Sequence, residues 1–315
     1  MRIAFLMDDI HSIKPYKDTS FRLALQAQQQ GWEISYIESN HLFFKDQLYA
    51  HSQKITLTDR NTDYCTLSAV QTTPIKEFDV IFLRSDPPFD ANYLYRTQLL
   101  DLVKKEVLII NNPTAVRSFN EKIFALHFPQ YTAKTLISRD IHQLKDFLNE
   151  HKKIVVKPLD SMGGSGIFII DHQDLNASVI LETQTQFEQN LLMAQEYLPA
   201  ITEGDKRILI IDGEPAPYAL ARLPAVGESR GNLSAGGTGR VQPLTDYEYQ
   251  VAKEIGTFCR TQKLLLVGID MIGNKVTEIN VTSPTCMREI EKESGLNLAE
   301  QTLKAIQKLV CSNND

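Results

Sequence analysis

Short apolar runs alternate with amphipathic stretches through the first third of the chain. Ile3 to Met7 reads as a buried strand, followed by a loop carrying Asp8, Asp9 and Asp18. The spacing then predicts a helix from about Ser20 to Gln30, closed by Gly31, and a second strand over Glu33 to Ile37. A strand at Asp79 to Arg84, a helix across Ala91 to Lys105, and a strand at Val107 to Ile110 continue the alternation. Strand and helix in turn imply a parallel sheet with helices on its faces. Open sheets of this kind bind ligands beyond the carboxyl ends of their strands, which selects the loop after Met7 and the run Arg84 to Pro88.

The rhythm changes after the turn signal at Asn111, Asn112 and Pro113. From about Asn120 the pattern predicts a helix over Glu121 to Phe128, a strand at Thr135 to Ser138, a helix over Ile141 to His151 and a strand at Lys153 to Lys157. Strands at Leu191 to Tyr197 and Arg207 to Ile211, a Gly-rich segment around residues 227–239, and a helix over Asp246 to Gln262 follow. The expected fold class is α/β: an N-terminal parallel-sheet domain over residues 1–119, then two α+β subdomains over 120–199 and 200–315.

Near the C-terminus, the β-rich runs Val267 to Ile272 and Lys275 to Val281 flank Gly273 and Asn274, a dipeptide suited to a two-residue hairpin turn. Side chains alternate along a strand, so Glu278 and Asn280 share a face, and pairing across the turn can bring Asp270 beside them. Facing carboxylates repel unless a cation lies between them. Hard oxygen donors of this kind suit Mg²⁺, with water and nucleotide phosphates completing its shell. A surface hairpin with solvated charges is the alternative.

Composition narrows the function classes. At 315 residues and 43% apolar content the chain can bury a sizeable core, while a net charge of −6 argues against a general nucleic-acid binder. Any anionic ligand therefore needs local cations. Cys65, Cys259, Cys286 and Cys311 form no Cys-x-x-Cys, which argues against a disulfide framework or zinc ribbon and fits a reducing cytoplasm. The apolar run before Asp8 is too short for a signal peptide, and no stretch approaches a membrane span.

Candidate chemistry gathers in the second half. Lys157 ends a predicted strand, and Gly163, Gly164, Ser165 and Gly166 follow it, so backbone N–H groups and an ammonium are available to phosphate oxygens. Ile167 stands where a P-loop requires lysine, which excludes that motif. Gln195, Glu196, Tyr197 and Leu198 end another strand with polar and apolar groups in succession, suited to an adenine slot, and Asp205 lies shortly after. Taken singly, these features also describe a hairpin turn, an amphipathic strand and an exposed acid.

Together, Lys122, Lys157, the Gly-rich loop, Glu196, Arg207 and the set Asp270, Glu278 and Asn280 resemble the ATP-grasp superfamily in type and order. Asn120-Glu-Lys122, Lys157-Pro-Leu-Asp160 with Met162-Gly-Gly164, Tyr197-Leu-Pro-Ala200, Gly204-Asp-Lys-Arg207 and the run Glu278 to Cys286 narrow the resemblance to the bacterial glutathione synthetase family. With Lys17 to Phe21 and Asp86-Pro-Pro-Phe-Asp90, it covers nearly the whole chain.

The resemblance implies two subdomains that clasp ATP, and ligation of glycine to γ-L-glutamyl-L-cysteine through an acylphosphate. It implies Mg²⁺ (or Mn²⁺) at Asp270, Glu278 and Asn280, phosphate contacts from Lys122 and Lys157, adenine at Glu196 to Leu198, and ribose at Asp205. Arg207, Arg222 and Arg230 are the expected catalytic cations, with Arg230 in a mobile lid over Val226 to Gly239 that excludes water. Thr238 departs from the family pattern, in which an arginine commonly follows the double glycine; Arg240 lies two residues on. Ser283, Thr285 and Arg288 are candidates for glycine's carboxylate, and Asp18, Ser20 and Arg84 for the γ-glutamyl end. A homotetramer is also implied. Another ATP-grasp carboxylate–amine ligase and a non-catalytic ATP-binding module are the competing readings.

Overall fold

The N-terminal apolar run forms a buried strand, β1 (Arg2–Met7), in the computed structural model, which describes residues 1–224 and 237–313. Asp18 caps α1 (Thr19–Gln29), its carboxylate accepting from the Phe21 N–H at 2.7 Å, and Gly31 leaves the helix at φ +76°. Next come β2 (Glu33–Lys45), β3 (Gln47–Leu57), β4 (Cys65–Leu67), β5 (Gln71–Pro74), β6 (Val80–Arg84), α2 (Ala91–Asp101), β7 (Leu108–Ile110) and α3 (Pro113–Ser118).

Strands β2, β1, β6 and β7 are parallel neighbours in that order, as the alternation predicts. The parallel sheet is extended by an antiparallel part that the alternation does not predict: β3 pairs antiparallel with β2 and carries β4 and β5 on its outer side. The second half of β2, from Glu38 onward, is only partly covered: four polar residues, Glu38 to His41, interrupt its apolar run, and Leu42 to Phe44 beyond them are not buried.

The predicted helix over Glu121 to Phe128 divides into α4 (Glu121–Phe124) and a 3₁₀ turn over Ala125–His127. Then β8 (Thr135–Ser138), α5 (Ile141–His151), β9 (Lys153–Pro158), β10 (Phe168–Asp171), α6 (Ala177–Gln184) and β11 (Leu192–Glu196) build an antiparallel sheet ordered β10-β9-β11-β8. Its own core joins Leu144, Leu148, Ile154, Val156, Ile170 and Leu181.

A third sheet, also antiparallel, runs β14-β13-β12-β15-β16 through β12 (Asp205–Ile211), β13 (Glu214–Leu223), β14 (Thr238–Pro243), β15 (Leu266–Ile272) and β16 (Lys275–Asn280). Between β14 and β15, α7 (Asp246–Thr261) opens with a capping box of Thr245 and Glu248; α8 (Met287–Ser294) and α9 (Leu298–Asn313) end the described chain. Apolar side chains of the first and third sheets form continuous cores, in which Ala4, Leu6 and Ile81 pack in one cluster with Ile208, Val267 and Ile279. Among the described residues, no helix is long and apolar enough to cross a membrane.

Candidate active site between two sheets

A cleft of about 920 Å³, open solvent at its mouth included, lies between the second and third sheets. Val155, Lys157, Ile169 and Gln195 line it from one sheet; their register on β9, β10 and β11 sets them on one face. Ile272, Thr277 and Glu278 line it from the other, and Ile201 adds a further apolar wall. Apolar walls around a few polar groups suit a flat heteroaromatic ring.

Lys122, Lys157, Gly163, Gly164, Gln195, Glu196, Tyr197, Leu198, Asp205, Asp270 and Glu278 all line this one cleft, gathered from segments far apart in sequence. Ser165 and Gly166 do not; Ser165 is exposed, and its N–H closes the loop onto the Met162 carbonyl at 3.1 Å. The loop turns through positive φ at Gly163, Gly164 and Gly166, and a Cβ at Gly166 would stand 2.9 Å from Pro158 Cγ. Gln195 is buried and donates to Thr135 Oγ1 at 2.9 Å, so its amide orients the strand end. Lys122 donates to the Ser161 carbonyl at 2.5 Å and meets Glu278 Oε1 at 3.3 Å. Burial lowers the pKa of Lys157, with nearby Glu278 opposing the shift and Lys122 adding to it.

The charged end of this cleft is set by cross-strand pairing. Asp205 faces Arg222 across β12 and β13, Arg207 faces Asp270 across β12 and β15, and Asp270 faces Glu278 across β15 and β16. Opposite charges thus meet across the first two of these pairs, and two carboxylates face each other across the third. Arg207 holds Asp270 through Nε and Nη2, with Nη2 at 2.8 Å from Oδ2, while Arg222 Nη2 reaches the same Oδ2 at 2.9 Å and Asp205 Oδ2 at 2.5 Å. Burial would raise the Asp270 pKa, but Arg207 and then Arg222 hold it well below the usual carboxylate range. Burial pushes Asp205 up to about 6 against the pull of Arg222, with Asp270 adding to the rise. The Oδ1 of Asp205 is buried with no hydrogen-bond partner among the described residues.

The two-residue turn forms as expected, with Ile272 opposite Lys275. Continued in register, it would set Asp270 opposite Thr277 and turn Glu278 to the other face. A bulge at Thr277 shifts the pairing by one residue, so that Glu278 stands opposite Asp270 and Asn280 opposite Gly268. Asn280 turns its Nδ2 to the Gly268 carbonyl at 3.2 Å and to Asp270 Oδ2 at 3.3 Å, which leaves its carbonyl oxygen as a donor. Among the described residues no group of three or more His, Cys, Asp or Glu could hold a metal ion, and the oxygens this hairpin offers are those of two carboxylates and the Asn280 amide. Two facing carboxylates, that amide and an unpartnered Asp205 oxygen fit a hard cation.

Arg84 connects the first sheet to this cluster. Its guanidinium is buried, donates to Ser20 Oγ at 3.0 Å and to the Pro284 carbonyl at 2.9 Å, and has Nη1 without a partner among the described residues. Burial raises the Asp18 pKa, with Arg84 among the groups opposing it; Asp86, also raised by burial, lies against the Ser283 hydroxyl. Asp18, Ser20, Arg84 and Ser283 therefore meet, whereas Thr285 is exposed. Arg288 pairs with neither Glu289 nor Glu291: it donates to the Pro15 carbonyl at 2.8 Å and to Asp59 at 2.7 Å. Arg240 is exposed and donates to Gln242. Arg230 and most of the lid segment lie outside the described residues.

The sequence reading passed over Glu121, whose Oε1 accepts from Val281 N–H at 2.8 Å, Thr282 N–H at 3.0 Å and Thr282 Oγ1 at 2.7 Å. An acid in the first turn of a helix is common, and nothing in the local pattern tells which backbone it will meet.

Comparison with known proteins bears on the whole chain. The family model described as prokaryotic glutathione synthetase, N-terminal domain, matches residues 1–117, and that described as prokaryotic glutathione synthetase, ATP-grasp domain, matches residues 121–295. Glutathione synthetase of Yersinia pestis is 44% identical over 293 residues, which cover 92% of each chain. Among solved structures, D-cycloserine synthetase DcsG aligns with a TM-score of 0.69 at 14% identity over 98% of this chain and 99% of its own. The ATP-grasp ligase PsnB, solved with a minimal precursor, Mg and ADP, aligns with a TM-score of 0.61 at 15% identity over 97% of this chain and 98% of its own. The chain belongs to the prokaryotic glutathione synthetase family and carries the ATP-grasp fold.

Proposed function

We propose that this chain joins glycine to γ-L-glutamyl-L-cysteine with ATP, releasing ADP and phosphate. Beyond family membership, the observation that carries this reading is the row of opposed charges at one end of an apolar-walled cleft, meeting the Arg84 group from the first sheet. A carboxylate is a poor electrophile, so the cysteinyl carboxylate first takes the γ-phosphoryl group of ATP, and the glycine amine then displaces phosphate. Lys122 and Lys157 neutralise phosphate oxygens, the loop from Gly163 to Gly166 supplies backbone N–H groups, Gln195 to Leu198 border adenine, and Asp205 meets the ribose side. Asp270, Glu278 and Asn280 would hold Mg²⁺ or Mn²⁺, and the bound ion supplies positive charge to the phosphate oxygens.

Arg207 and Arg222 keep Asp270 ionised and present their remaining N–H groups to the transferring phosphoryl oxygens. Arg230 completes the cation set from the lid. Arg84, Asp18 and Ser20 receive the γ-glutamyl end, and Ser283 and Thr285 the glycine carboxylate. Arg288 serves that loop by fastening it to Pro15 and Asp59. The domain limits 1–119, 120–199 and 200–315, a homotetramer and a reducing cytoplasm belong to the same reading.

The test is ADP release by the purified protein with ATP, Mg²⁺ and γ-L-glutamyl-L-cysteine, with and without glycine, alongside mass detection of the tripeptide. Glycine-dependent ADP matched by glutathione is the expected result. Tight ATP binding without turnover would point to a different carboxylate and amine.

A further inference from the structure

Val281, the first residue after Asn280, is held from two sides. Its carbonyl accepts from Asn111 Nδ2 at 2.8 Å, and its N–H donates to Glu121 Oε1 at 2.8 Å. Asn111 is buried and otherwise fully engaged, accepting from the Leu265 and Leu266 N–H groups and donating to the Leu266 carbonyl. Thr282 adds two bonds to the same Glu121 oxygen. Glu121 and Thr282 also line a smaller hollow with Pro87 and Phe89, about 520 Å³ with open solvent at its mouth included, which shares Lys122 with the main cleft. Val281 is itself fully buried in the shared core and Thr282 is buried beside it, so packing holds the segment in place and these hydrogen bonds set the direction of its backbone.

Glu121 precedes Lys122 at the start of α4, and Thr282 precedes Ser283. One carboxylate oxygen thereby ties the helix that carries a phosphate-facing lysine to the strand exit between Asn280 and the substrate loop. We propose that Glu121 is a positioning residue for phosphoryl transfer, setting the spacing between Lys122 and the segment from Asn280 to Ser283. The proposal rests on the functional reading above. Misplacing a reacting group by 1 Å can cost about 100-fold in rate, so the clamp is expected to act mainly on kcat.

The experiment compares E121A, E121Q, T282V and T282S with wild type in kcat, KM for ATP, calorimetric ATP affinity and thermal midpoint. T282V removes only the hydroxyl bond. It should lower kcat about fivefold with KM for ATP and midpoint unchanged, and T282S should restore it. E121A should lower kcat by about 30-fold and ATP affinity about fivefold, while E121Q, which keeps an acceptor oxygen, stays within about threefold of wild type. Wild-type kcat in T282V overturns the proposal, as does a folded E121Q that is no more active than E121A. If wild type binds ATP but makes no glutathione, the functional reading fails instead. The clamp is then judged on ATP affinity, and unchanged affinity in E121A overturns it.

Discussion

Arg207 grips both carboxylate oxygens of Asp270 through Nε and Nη2 at a point where each side chain is more than nine-tenths buried. The pair belongs to the candidate metal and phosphate site, so its removal has two consequences. Breaking a buried ion pair by deleting one partner typically costs about 3–5 kcal/mol, because the other charge stays behind without compensation. D270N should lose ligation and unfold at lower urea. Stability within about 1 kcal/mol of wild type would mean that Asp205 and Glu278 absorb both arginines.

Gly268 makes room for this arrangement. A Cβ there would approach Arg207 Cδ at 3.0 Å and Pro284 Cβ at 3.1 Å, squeezing the arginine against the substrate loop. G268A is expected to cost about 1–3 kcal/mol and to reduce kcat more than tenfold by displacing Arg207. Kinetics together with a melting curve check this; a fully active G268A would show that the loop yields without moving the guanidinium.

Lys157 is a partly desolvated ammonium beside another, Lys122. Such a pair opposes folding of the empty protein and favours phosphate binding. K157M should therefore weaken ATP binding at least tenfold in calorimetry while leaving the thermal midpoint equal to or above that of wild type. A lower midpoint with intact affinity would assign Lys157 a structural role.

Glu248 controls part of the acid limb of stability. Burial pushes its pKa up, but Lys206, with Nζ 2.5 Å away, and the Thr245 N–H, which donates to Oε2 at 2.9 Å, outweigh burial and hold it below the ordinary 4.5. Between the folded value and 4.5 the unfolded chain binds more protons, so stability rises with pH there. This contribution is present above 4.5 and lost as pH falls through the folded value. E248Q should flatten the urea midpoint over that acidic window and change it little with pH near neutrality. An unchanged slope would exclude Glu248 as its source.

The sequence by itself determined the parallel strands β1, β2, β6 and β7, the helices that follow their own period and caps, the turn at Gly273 and Asn274, and the residue types of the candidate nucleotide cleft. Each of these is written locally, in apolar periodicity, turn chemistry or motif. The antiparallel β3 extension escaped notice because its strands are half covered and lack a continuous apolar run. Only the tertiary structure decided which face Glu278 occupies. A two-residue turn alone places it away from Asp270, and the bulge at Thr277, whose hydroxyl donates to the Asp270 carbonyl at 3.2 Å, reverses that by a shift of one residue. Only the fold, likewise, directs Glu121 to Val281 and Thr282 and Arg288 to Asp59, because these partners stand 160, 161 and 229 positions apart and no local pattern encodes contacts of that range.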